Sequence, residues 1–139
     1  MLEKEDLISA TQILNIYVAI DKETFKIRLS RIIPIPFLFA SINFKSLHDK
    51  LLVAHEQVLE LIARRKRHDL FEKDKSVFFG YLASLEMVIS KLLAILVELD
   101  KESNGPFKYK YREYKKDCKD YHRLVDRYSN LGRELNRYV

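Results

Sequence analysis

Apolar side chains return along much of this chain at alternating spacings of three and four, the signature of helices that bury one face. Phe78, Leu82, Leu85, Ile89, Leu92, Leu96 and Leu99 form the clearest such series, and Val77, Tyr81, Val88, Leu93 and Ile95 widen it. A stripe that broad predicts burial on more than one side, so this segment is the expected central helix. Phe44, Leu47, Leu51, Ala54, Val58 and Leu61 make a second seam, with Ser46 and Asp49 placed as a capping pair at its start. Its end is expected near Arg65 to His68, where cations complement the negative end of the helix dipole. Phe107, Tyr111, Tyr114, Cys118, Tyr121, Val125 and Tyr128 form a third heptad seam. Leu131, Leu135 and Tyr138 extend it past Gly132, where a kink or fraying is expected.

The first third is less regular. Leu7, Ile8, Ile13, Leu14, Tyr17 and Ile20 suit a helix from about Glu5 to Asp21. Beyond it, Phe25, Ile27 and Leu29 alternate with polar residues as in a strand, whereas Phe25, Leu29, Ile32 and Ile33 share a helical face. No second strand offers itself as a partner, which favours helix. Pro34 and Pro36 then stop regular structure. Ser103-Asn104-Gly105-Pro106 is the strongest boundary, ending one helix and opening the next. The pattern therefore predicts one all-α domain over residues 1–139, an antiparallel bundle of four long helices, or five if the first is broken.

Composition narrows the chemistry. The 139 residues contain only three glycines and three prolines, too few turn signals for an all-β chain, and 47% are hydrophobic, enough for one core. Cys118 is the only cysteine, which excludes an internal disulfide framework and fits a reducing, cytoplasmic setting. The start, Met1 to Asp6, lacks the order of a signal peptide. Val77 to Val97 is long enough to span a membrane but carries Glu86 and Lys91 near its middle, so no transmembrane segment is expected.

No metal or cofactor site is expected. There is no Glu-x-x-His pair, and His48 and His55 stand two helical turns apart, so the four histidines read as solvated or capping groups. Single, isolated glycines exclude a phosphate-binding loop. Arg64 and His68 enclose three residues, short of the Arg-x4–6-His pattern of helical ribonucleases. Cys118 falls on a seam where a small core residue is wanted, and Glu86 one position past Leu85, at a stripe's edge. These readings point away from an enzyme.

Charge supplies the remaining signal. Residues 1–105 hold 15 basic and 15 acidic side chains, whereas residues 106–139 hold 10 and 5, so the whole excess of +5 lies in the last quarter. Arg64, Arg65, Lys66 and Arg67 form the densest cluster; Lys108, Lys110, Arg112, Lys115, Lys116 and Lys119 alternate with Tyr109, Tyr111 and Tyr114. Both groups are candidate polyanion contacts. The apolar, Pro-containing run Ile32 to Phe39 presents Ile35, Phe37 and Phe39 as candidate protein-docking residues. The leading expectation is a non-enzymatic helical module that binds another protein or itself, without cofactor. The alternative is a bundle that binds nucleic acid through its basic last helix.

Overall fold

The computed structural model describes residues 4–25, 43–66, 73–104 and 111–138. They form four helices, α1 (Lys4–Phe25), α2 (Phe44–Lys66), α3 (Lys73–Asn104) and α4 (Tyr111–Leu135), followed by a 3₁₀ turn at Asn136–Tyr138. Among the described residues there is no strand. The ambiguous segment beyond Phe25 lies mostly outside them, as do Gly105 and Pro106; α1 itself continues through Thr24 and Phe25, one turn past the expected end.

Local chemistry accounts for the helix ends. Glu5 and Asp6 occupy the first turn of α1 and Lys22 the last, each at the end of the dipole that favours its charge. Thr11 and Thr24 would weaken a helix interior, but their hydroxyls donate to the carbonyls of Leu7 and Ile20, at 2.8 and 2.7 Å. The cap of α2 is Asn43, whose Oδ1 accepts from the Ser46 amide at 3.0 Å. This corrects the expected Ser46–Asp49 pair, because helix already begins at Phe44 and Ser46 sits inside its first turn. Gly132 does not break α4, which runs on to Leu135. Leu131 and Leu135 pack on the core beyond it and hold the last turns in place.

Specific pairs fix the directions of the helices. His55 of α2 meets Glu86 and Ser90 of α3. Along α3 and α4, Tyr81 meets Tyr128 and Lys91 meets Asp117, so one number rises as the other falls. The start of α1 lies beside the ends of α2 and α4: Ser9 and Gln12 share a groove with Gln57 and Arg64, and Leu7 shares a cleft with Leu135. The order is up, down, up, down.

Packing is uneven round this ring. α2 is in close contact with α1 and α3, and α3 with α4, while α1 meets α4 mainly through long side chains. The core centres on α3, where Phe78, Leu82, Leu85, Ile89, Leu92 and Leu96 have no solvent exposure. Full burial of each contributes about 1.5–3 kcal/mol. Leu51, Ala54, Val58 and Leu61 close over them from α2, and Ile13, Tyr17 and Ile20 from α1. Ile8 departs from its expected place and is about half exposed, whereas Ala10 takes the core position two residues on. No helix of the described residues is long and apolar enough to cross a membrane.

Candidate functional site

Four tyrosines meet along the seam between α1 and α4, Tyr17 from α1, Tyr121 and Tyr128 from α4 and Tyr81 from α3. Tyr121 donates to Asp21 Oδ1 at 2.6 Å, and its hydroxyl also bonds Tyr17. A phenol has one proton to give; since Tyr121 spends its own on a carboxylate, Tyr17 must be the donor of the second bond. Tyr81 and Tyr128 pair at 2.9 Å one level lower. Ring contacts join the two levels, Tyr17 standing edge-on to Tyr128 with centroids 6.4 Å apart, and Phe25 covers Tyr121. Burial raises the pKa of all four phenols above the ordinary value of 10, and Asp21 beside Tyr17 and Tyr121 adds to this. They are neutral donors at physiological pH; Tyr17 and Tyr121 tie α1 to α4 where the backbones stand apart, and Tyr81 and Tyr128 tie α3 to α4.

A second polar cluster bridges α2 and α3. His55 Nε2 lies 2.9 Å from Glu86 Oε1 and 3.1 Å from Ser90 Oγ, and Ser90 donates to the same Glu86 oxygen at 2.7 Å. A nucleophilic relay needs serine on one ring nitrogen and the carboxylate on the other. Here both partners meet one nitrogen and the serine proton is spent on the carboxylate, so the cluster is built to join helices. His55 is thus half-buried and bonded across an interface, which corrects its reading as solvated or capping. Glu86 stands at the stripe's edge, as its position implied. The only signal for this cluster was the spacing of four between Glu86 and Ser90.

Lys91 and Asp117 form a half-buried ion pair at 3.0 Å between α3 and α4. Cys118 is only partly buried, a correction to its reading as a core residue, because the α1–α4 seam is looser than the others. His122 is exposed beside the Tyr121 ring. Among the described residues no three His, Cys, Asp or Glu side chains gather closely enough to hold a metal ion.

The candidate polyanion residues separate. Arg64 is exposed near the end of α2, beside Gln57 and Glu60. Arg112, Lys115, Lys116 and Lys119 are exposed near the start of α4. Helix directions put these groups at opposite ends of the bundle, on helices that do not pack together. The side chains of Arg65 and Lys66 lie outside the described set, as do residues Arg67, Lys108 and Lys110 and the docking candidates Ile35, Phe37 and Phe39.

The structure extends the α4 group along its helix. Arg123, Arg127 and Arg133 are also exposed, and at 100° per residue they fall with the first four within an arc of about 120°, over about 30 Å. Asp126 and Glu134 are the acids inside that arc. Among the described side chains of this helix the tyrosines face inward: Tyr114 and Tyr121 are buried and Tyr128 is bonded within the seam.

Apolar side chains stand exposed on α2 and α3 as well. Leu52 and Leu59 stand three residues before and four after His55, so they flank the α2–α3 junction. Val97 stands seven after Ser90, on the same side of α3, and Met87 lies on the outer face of that helix, one turn before Lys91. All four are exposed, by 36–44%. No protein family, curated protein or solved structure matches the chain.

Proposed function

We propose that this protein is a non-enzymatic helical interaction module that associates with another protein, or with a second copy of itself, across the outer groove of α2 and α3. The observation that carries the reading is the exposure of Leu52, Leu59 and Val97 around one helix junction, with Met87 on the outer face of α3 beside it. Single exposed apolar residues are ordinary, but several gathered on neighbouring helices form the patch that an amphipathic helix covers. The one-sided geometry of His55, Glu86 and Ser90 supports a binding rather than a catalytic role.

Sedimentation analysis across a concentration series tests the self-associating form. Dimerisation is expected, and Leu52→Asp with Leu59→Asp should return the chain to monomer while leaving its helical spectrum unchanged. A monomer at all concentrations with no helical-peptide ligand shifting amide signals of α2 and α3 would overturn the reading.

The cationic arc of α4 favours a second reading, in which this face contacts the phosphates of nucleic acid. Seven exposed cations against two acids in the arc make a field of one sign, and the absence of outward aromatics on the described part of α4 directs the contact to backbone rather than bases.

A further inference from the structure

The loose seam between α1 and α4 opens, at the end of the bundle where α1 begins, into a cleft of about 540 Å³. That lies within the range of about 300–1,000 Å³ in which small-molecule sites fall. Its walls are largely apolar, with Leu7, Leu14, Phe78 and Leu135 among them, and most of its polar groups come from α4, with Thr11 of α1 and Tyr81 of α3 beside them. The Tyr81–Tyr128 pair forms one bond from two hydroxyls, which leaves one phenolic proton to donate. Arg133 stands at the rim, exposed, with a long 3.3 Å bond to Asn130 one turn back. Gly132 also lines the cleft, and a Cβ there would point at the Tyr81 ring, 3.4 Å from its nearest carbon. Glycine is a poor helix former, and at this position its missing side chain is what leaves the space open.

We infer that this cleft is a binding site for a single-chain amphiphile with an anionic head, the chain lying against Leu7, Leu14 and Phe78 and the carboxylate or phosphate taken by Arg133. The apolar walls select a chain, and the guanidinium selects the head by charge and by its paired donors. Among the described residues no acidic side chain lines the cleft to oppose it. The site faces away from the α2–α3 groove, so the two can be filled independently.

The test titrates the full-length, ¹⁵N-labelled protein with decanoate and decyl phosphate below their micellar concentrations, against decan-1-ol and decyltrimethylammonium. Saturable one-site binding of either anion is expected, with amide shifts centred on Ala10, Thr11 and Gly132. Arg133→Gln should weaken the anions about tenfold and leave decan-1-ol unchanged, the loss of one charge-assisted contact. Gly132→Leu should abolish binding by filling the cleft; if it disturbs the helical spectrum, Thr11→Trp at the exposed rim serves the same purpose. Absence of saturable binding, equal binding of decyltrimethylammonium, or full anion affinity in Arg133→Gln would overturn the assignment.

Discussion

Tyr121 holds the seam at two points, because it is both donor to Asp21 and acceptor from Tyr17. Replacing it by Phe strands both partners at once, with an expected cost of about 1–3 kcal/mol. Tyr17→Phe removes only a donor, since Tyr121 can still give its proton to Asp21, and should cost less. The raised pKa of these phenols also sets a pH dependence. Below pH about 10 the folded and unfolded chains both keep the proton, and the seam's contribution is complete. Above it the unfolded chain ionises first, so stability falls as pH rises. An alkaline titration followed by tyrosinate absorbance should show Tyr17, Tyr81, Tyr121 and Tyr128 ionising only as helix is lost, in a phase that tracks the helical spectrum. Ionisation of every tyrosine with the helical spectrum intact would contradict the seam.

Helix identity was legible because one face of each element repeats at helical spacing, and Leu85, Leu92, Leu96, Leu51 and Val58 are core as the spacing implied. What the pattern left open depends on partners far along the chain. Nothing near Asp21 announces Tyr121, a hundred residues away, and nothing near His55 announces Ser90. Nor can spacing show that α1 and α4 stand apart, since Leu7 and Leu14 read as core until the cleft beside them is seen. The α2 cap failed for a local reason: Asn43 and Ser46 are both good cap residues, and the hydrophobic series did not show that Phe44 belongs to the helix rather than to the segment before it. The two assignments differ in a measurable way. Asn43→Ala should cost about 1 kcal/mol of stability in a denaturant titration, whereas Asp49→Ala, on the exposed face of α2, should change it little. The reverse order would restore Ser46 and Asp49 as the start of the helix.

At the scale of the whole molecule, the two outer surfaces make opposite demands on a partner, and salt tells them apart. If the α4 arc contacts phosphates, several of Arg112, Lys115, Lys116, Lys119, Arg123, Arg127 and Arg133 must act together, each releasing bound counterions. Affinity for duplex DNA should then fall steeply with salt, by a log–log slope of about 0.9 per phosphate neutralised. Duplex should compete at least as well as single strands, because Tyr114 and Tyr121 are buried and offer bases nothing to stack on. Lys115→Glu with Lys116→Glu should flatten the slope without disturbing the fold, both being exposed and off the seam. Arg64→Glu is the decisive control. Its charge is of the same kind but stands outside the arc, on a helix that packs little against α4 and at the end of the bundle away from Lys115 and Lys116, so it should leave the slope almost unchanged. Equal loss from Arg64→Glu and the α4 pair would mean attraction to net charge alone, with no face involved. Leu52→Asp with Leu59→Asp, on the opposite side, should likewise leave DNA binding and its salt slope in place while abolishing the apolar association. A protein partner held across α2 and α3 should persist through moderate salt, because burial of those side chains strengthens, if anything, as ions are added.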